Sequence, residues 1–390
     1  MYKILKSAMK TTLLLVISCL AALEIFSAVA MRLFDLPANL PNYEIPSFKP
    51  FWSDINPIWG VWHEPHSRYD HVRKCYQATY TANSHGMRDQ ERTIKSDKKR
   101  IVVLGDSFTE GFGLKLHERW TDQLEEKTQI PHLNFGNAGI FGPTQYSLLY
   151  ENLVKKFDHA GVIIGLFPGN DFLDDSIQFG QAAFGHRYRP YYVKKNDAYE
   201  LVYFKKDELG DAPERQKKKS LSRGMRQVFR NFTHAVNVVE YTIGLIRQWT
   251  GAKIHGRKFI FDYSGYVDYT DADWHRFSYV FSRIRKAAGT KPILVVIIPR
   301  PGDFLYLKQG KYFKLQQDLK SLIAKHPNSF MLDLLPIFAK ATDWKDHYQI
   351  CDGHWTPLAN TIAADEIRNH PFYDAFDTQA HTSNTSPLAP

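Results

Sequence analysis

The sequence has little cysteine: three residues among 390. One of them, Cys19, lies inside an apolar N-terminal run, which leaves only Cys75 and Cys351 to the body of the chain. That apolar run stands alone, which excludes a multi-span membrane protein. No internal repeat is evident, so repeat arrays are excluded as well. Charge is not one-sided: 50 Lys+Arg against 41 Asp+Glu leave a net +9, a modest excess that suits anionic surfaces such as lipid headgroups without requiring nucleic acid. With 44% hydrophobic and 23% charged positions, the composition excludes disordered and collagen-like classes and predicts a large globular body.

What is present begins with Lys3, Lys6 and Lys10 ahead of the apolar run at 13–31, which only Glu24 interrupts with charge. As a helix this run reaches about 28 Å, enough to span a bilayer. The basic flank predicts a cytoplasmic N-terminus and an extracytoplasmic, periplasmic body, with residues 1–34 as a membrane anchor. Two other outcomes fit the same stretch. Ala28-Val29-Ala30 is a small-residue cleavage pattern, and Val16-Ile17-Ser18-Cys19 resembles a lipoprotein box. The uncleaved anchor ranks first, because apolar Leu20 to Leu23 follow Cys19 where a polar tether is expected, and Glu24 is foreign to a cleavable signal. Glu24 is expected near the outer interface or against a partner helix. In an oxidising compartment Cys75 and Cys351 either form a disulfide or remain two buried thiols.

Residues 35–99 lead into the body. Between Asp35 and Pro65, six prolines interleave with aromatics that include Trp52, Trp59 and Trp62, which predicts an extended strap packed on something apolar rather than a helix or central strand. Over 100–376, apolar β-rich runs alternate with helical patterns, the mark of parallel βαβ architecture. Strands are expected at 100–104, 132–135, 162–167, 293–298 and 330–334. The third and fourth are continuously apolar, as in strands covered on both faces. The expected fold is therefore α/β, a three-layer α/β/α sandwich on a five-stranded parallel sheet. An insertion at about 172–290 interrupts it, with a hairpin around Asn196-Asp197. A helix follows over 220–249, with Val228, Phe232, Ala235, Val239 and Ile243 on one face; it reads as ordinary packing, a lid or a membrane-lying element. Residues 205–230 hold nine Lys/Arg against four acids and read as a solvated face. The polar tail at 377–390 is expected to be disordered.

In an open parallel sheet the ligand site lies beyond the carboxyl ends of the strands. There the sequence has Gly105-Asp106-Ser107-Phe108-Thr109-Glu110-Gly111, then Gly136-Asn137-Ala138-Gly139, then Pro168-Gly169-Asn170-Asp171, and a late loop Cys351-Asp352-Gly353-His354-Trp355. A serine at a strand-to-helix turn offers its hydroxyl as nucleophile and its own N–H to an oxyanion. His354 supplies a base for Ser107, and Asp352 orients the imidazole. Gly139 N–H and the Asn170 amide complete a candidate oxyanion hole. Acyl transfer is the chemistry such a set performs.

These four blocks, with Ser107, Gly139, Asn170 and His354 in order, resemble the SGNH or GDSL-type hydrolase superfamily over about 100–369, the insertion excepted. The resemblance implies a flavodoxin-like fold, a serine nucleophile, no metal or other cofactor, and ester or amide substrates from lipids to acetylated sugars. Much of that family carries its acid three residues before the histidine. Here that place is Cys351 and the acid is Asp352, a spacing that also resembles alginate-type O-acetyltransferases. Asn83-Ser84-His85-Gly86-Met87-Arg88-Asp89 resembles a segment of membrane-anchored bacterial members. The G-x-S-x-G elbow of α/β-hydrolases is absent, because Thr109 stands where its last glycine belongs.

Asp106 and Arg300 are candidate substrate contacts, although an arginine just after a strand also serves to cap a loop. Asp171 and Asp333 are expected to satisfy loop amides. His63, Glu64, His66 and His71 have metal-like spacing, but Pro65 breaks the helix a zincin motif needs. The expected function is a membrane-anchored serine esterase that removes acyl groups, acetyl foremost, from an envelope polysaccharide or glycan. The alternatives are an O-acetyltransferase fed by a membrane acyl-donor partner, a lipase or lysophospholipase, and a non-catalytic carbohydrate-binding protein.

Overall fold

Three runs of Val, Ile and Leu form the middle of a five-stranded central sheet. The structure, a computed structural model, describes residues 2–34, 36, 38–45, 51–184, 187–204, 224–249, 263–310, 313–341 and 343–376. Helix α1 (Tyr2–Leu33) comes first, followed by two hairpins, β1 (Trp52–Asn56) with β2 (Gly60–His63), and β3 (Arg68–Arg73) with β4 (Tyr76–Thr81). The region expected to be an extended strap therefore contains strands. They pair only with each other, in two-stranded sheets of their own.

The main sheet consists of β5 (Ile101–Leu104), β6 (His132–Asn134), β7 (Gly161–Leu166), β10 (Ile293–Ile297) and β11 (Ser329–Asp333), in the order β11-β10-β7-β5-β6 and parallel throughout. Counting only these strands in chain order, it is the doubly wound order 2-1-3-4-5. All five expected strands are present within a residue of their expected ends. Each residue of β5, β6, β7 and β10 is buried, which is why β7 and β10 read as continuous apolar runs rather than alternations. Because right-handed crossovers change face where the strand order reverses, helices cover both faces of the sheet. Helix α3 (Trp120–Thr128) packs against a late helix (Pro357–Arg368), and α4 (Pro143–Asn152) against Asp271–Ala288.

The short α2 (Ser107–Glu110) follows β5, and α5 (Asp171–Asp174) and α6 (Ile177–Phe184) follow β7. The insertion then forms the hairpin β8 (Arg189–Lys195) and β9 (Ala198–Phe204), turning at Asn196 as its sequence implied. This hairpin is fastened to the strap: Tyr188 and Tyr203 hydroxyls donate to the Pro57 and Ile58 carbonyls at 2.9 and 3.0 Å.

The single helix expected over 220–249 is two helices within the described residues, 224–232 and α7 (His234–Trp249). The break at Thr233 lets the Glu24 carboxylate of α1 accept the first N–H groups of α7, from His234 at 2.6 Å and Ala235 at 3.0 Å. Residues 205–223 of the basic stretch and the tail at 377–390 lie outside the described residues. Among those described, one helix, Lys6–Leu33, is long and apolar enough to cross a membrane.

Candidate active site

The site lies where the sheet order reverses, beyond the carboxyl ends of β5 and β7. Its first wall is the turn after β5. Gly105 is required there because a Cβ would sit 2.0 Å from the Thr109 hydroxyl. Asp106 caps α2, accepting the Phe108 N–H at 3.0 Å, and so points Ser107 outward as the first residue of the helix. The Ser107 N–H has no carbonyl four residues back within the helix to accept it.

The Ser107 hydroxyl meets His354 Nε2 at 2.9 Å. His354 Nδ1 in turn lies 3.2 Å from Asp352 Oδ1, and the same oxygen accepts the His354 backbone N–H at 3.1 Å. That ring contact is an ion-pair distance without straight hydrogen-bond geometry. An acid two residues before its histidine reaches both the amide and the ring because Gly353 between them adopts φ +77°, in the left-handed region. Gln349 closes the loop, with Gly353 N–H donating to its carbonyl at 2.8 Å and its own N–H donating to the His354 carbonyl at 2.7 Å.

The strap supplies the remaining support. Cys75 and Cys351 are joined by a disulfide, with Cα atoms 6.0 Å apart. The neighbouring Tyr76 hydroxyl donates to Asp352 Oδ2 at 3.0 Å and lies 3.0 Å from His71 Nε2. Burial pushes the Asp352 carboxyl up, but the His354 bond and charge, the His354 backbone N–H and the Tyr76 bond outweigh it and hold Asp352 below its ordinary value. Burial lowers His71 to about 3, so His71 is neutral here. Phe112 stacks on the His354 ring at 4.3 Å.

Arg88, in the segment whose role the sequence left open, is 1% exposed. Its guanidinium donates to the Glu110 and Gly111 carbonyls, each at 2.7 Å, and to the Leu114 carbonyl, while lying over the Tyr80 ring. It therefore clamps the chain leaving α2. Asp89 accepts the Asn134 N–H at 3.1 Å and pairs with Arg92 at 2.9 Å, which fixes the segment to β6. Glu110 is a second hub, accepting from Trp52 Nε1 at 2.9 Å and from Ala138 N–H, with His63 Nε2 at 3.5 Å. Burial acts against its charge, but His63, Arg88 and Trp52 hold Glu110 low.

Several expectations are corrected. Gly139 N–H donates to Asn137 Oδ1 at 2.7 Å, so it is engaged rather than presented to an oxyanion. Asn137, which the sequence reading passed over, keeps a buried Nδ2 with no hydrogen-bond partner. Asn170 stands at the head of α5 after β7, and its Oδ1 likewise has no partner. Asp106 is buried as a helix cap, not exposed to substrate, and burial together with the Asp174 charge pushes its carboxyl up. Arg300 turns to Asp303, 3.9 Å from Nε to Oδ1, while its N–H donates to Asp303 Oδ2 at 2.9 Å; it caps a loop. Asp171 and Asp333 accept the Phe167 and Leu335 amides at 2.8 and 3.0 Å, as expected of loop acids. The histidines with metal-like spacing go to separate partners, His63 to the Gly86 carbonyl and Glu110, His71 between Tyr76 and Tyr80.

The described residues bring together, in chain order, the blocks on which the sequence resembles the SGNH hydrolases. A scan against protein-family models and a search of curated proteins find no match. Among solved structures, the chain is similar to a lipase from a goat rumen metagenome, at 15% identity and a TM-score of 0.36 over 70% of this chain and 96% of the other. It is similar to a lipolytic protein of the G-D-S-L family from Veillonella parvula, at 11% identity and a TM-score of 0.35 over 69% and 95%. It is also similar to an acetyl xylan esterase from Butyrivibrio proteoclasticus, at 9% identity and a TM-score of 0.35 over 73% and 67%. The chemistry of the site rests on its own geometry. A cleft of about 1040 Å³ opens beside the 349–354 loop, lined among others by Tyr76, Lys115, Trp344, Lys345, Ile350 and Gly353.

Proposed function

We propose that this protein is a membrane-anchored serine esterase of SGNH type whose extracytoplasmic domain removes O-acyl groups, acetyl foremost, from an envelope polysaccharide or glycan. The observation that carries the reading is the Ser107–His354–Asp352 chain, 2.9 Å and 3.2 Å between successive groups, at the switch point of the sheet. Ser107 attacks the ester carbonyl and passes its proton to His354 Nε2. Asp352, held ionised, stabilises the imidazolium, which then protonates the leaving alcohol. Water, deprotonated by His354, releases the acyl group from Ser107 as the free acid. The Ser107 N–H and the side-chain amide of Asn170 are assigned to the oxyanion, with Asn137 Nδ2 replacing the engaged Gly139 N–H. The cleft beside the loop, whose lining holds Trp344, Tyr76, Lys115 and Lys345 but neither Ser107 nor His354, has the aromatic and polar groups with which a sugar could be held next to the site.

A lipase reading has one observation of its own, the exposed apolar residues of α7 beside α1. Hydrolysis of p-nitrophenyl esters from acetyl to palmitoyl separates the two. The proposal expects a Ser107-dependent rate that is highest for acetyl. A rate rising with chain length moves the substrate to lipid, and no Ser107-dependent turnover at any length overturns the esterase.

A further inference from the structure

The catalytic site makes no use of the helix pair at 224–249, yet that pair is built into the N-terminal helix. Helix α7 packs against α1, and the covered stripe of α1 is Glu24, Ser27, Ala28 and Met31, one helical face. Ser27 and Met31 are buried there. Glu24 Oε1 accepts the His234 N–H at 2.6 Å and lies 2.8 Å from His234 Nδ1, and Oε2 accepts the Ala235 N–H at 3.0 Å. The one charge of the apolar run is thereby satisfied by the positive end of a helix from the exported domain. Cleavage after Ala30 would remove Glu24, leaving those N–H groups without their acceptors and stripping the surface that covers α7.

The outer face of the pair is apolar. Phe229 and Phe232 on 224–232, and Val239, Ile243, Leu245 and Ile246 on α7, are exposed. The polar side is closed on itself, with Glu240 held by Arg226 at 2.6 Å and by Arg230. The apolar face continues that of α1, where Leu20, Leu23 and Phe26 are also exposed. Glu24 stands about 14 Å along the helix from Leu33, the depth of one leaflet of a hydrocarbon core. In sequence, the seven Lys/Arg of 205–223, against four acids, lead into the pair, a net positive stretch that complements anionic headgroups.

From this we infer that α1 is retained in the mature protein and that residues 224–249 lie beside it in the outer leaflet, with their apolar face against lipid. The inference rests on the membrane anchoring proposed above and adds a second membrane element drawn from the insertion.

The test uses the full chain in vesicles of phosphatidylethanolamine and phosphatidylglycerol, with Cys19→Ala and a single added cysteine carrying an environment-sensitive fluorophore. The cysteine is placed by Ile243→Cys or, as a second site, Val239→Cys, with Lys156→Cys as the aqueous reference. The expected result is an intact mass that includes residues 1–30, with label at 243 and 239 quenched several-fold more by nitroxide lipids than at 156 and several-fold less by iodide. Label at 243 and 239 quenched by iodide as readily as at 156 overturns the inference. Label shielded from both quenchers also overturns it, because protein then covers the face. A mass beginning at Met31 or later refutes retention and with it the anchoring. Ser107-dependent ester hydrolysis, measured on the same vesicles, reports on the enzymatic reading separately from all of these.

Discussion

Ser107 and His354 stand 2.9 Å apart but are held there by opposite means. The Ser107 turn is made by its own neighbours and the central sheet: Gly105 gives the close approach, Asp106 caps the helix, and β5 lies between two partner strands. The loop at 349–354 has one tight turn of its own and Phe112 stacked on His354, and is further fastened to the strap through a disulfide spanning 276 residues and the Tyr76 bond to Asp352. Ser107 thus belongs to the fold, while His354 and Asp352, its proposed base and acid, belong to a clamp added to the fold. If that contrast is right, damage to the strap should impair proton transfer while leaving the nucleophile in place.

The largest effect expected is from Ser107→Ala, which should lower ester turnover by about 10³-fold or more with the thermal midpoint nearly unchanged. Second is the pair Cys75→Ser and Cys351→Ser. Denaturant unfolding should show about 2 to 4 kcal/mol less stability, and kcat should fall about tenfold as the loop loosens. Stability lost with kcat unchanged would show that the loop holds itself.

Tyr76→Phe is a finer probe. It removes one hydrogen bond to a carboxylate, worth about 1.5 kcal/mol or roughly tenfold in kcat. Because that bond helps hold Asp352 below its ordinary value, its loss raises the Asp352 pKa, and the acid limb of the pH–rate profile should move to higher pH. A merely structural tyrosine would lower activity without moving the limb. The smallest effect concerns the carboxyls behind Ser107. Burial, opposed by Arg189 and helped by Asp175, pushes Asp174 up to about 7. A raised carboxyl favours the folded state below the unfolded value near 4, and that contribution is lost as pH rises toward 7. Asp174→Asn should therefore flatten the fall in stability between about pH 4 and 7, read from denaturant midpoints.

The same contrast explains what the sequence made legible. β-rich runs alternating with helical patterns marked the five strands, the third and fourth continuously apolar because both faces of the sheet are covered there, and residues after strand ends had to line the site. Ser107 was readable for that reason, and His354 for its Asp-x-His spacing in a late loop. Tyr76, Arg88 and Glu110 were not, because a hydrogen bond between residues 22 or 276 positions apart leaves no periodicity behind. Gly139 misled because a glycine after a strand signals close approach without saying which acceptor its N–H meets. The break at Thr233 was hidden for a similar reason: the group that caps α7 lies 210 residues earlier, in α1.

The most direct test is the rate at which a fluorophosphonate modifies the protein, measured across pH with the adduct located by peptide mass. The account predicts a single adduct on Ser107, absent in Ser107→Ala, formed about tenfold more slowly in Tyr76→Phe and in the Cys75→Ser, Cys351→Ser pair, with the acid limb of Tyr76→Phe shifted upward. An adduct elsewhere, or one on Ser107 at a rate indifferent to His354→Ala and to both strap variants, would contradict it.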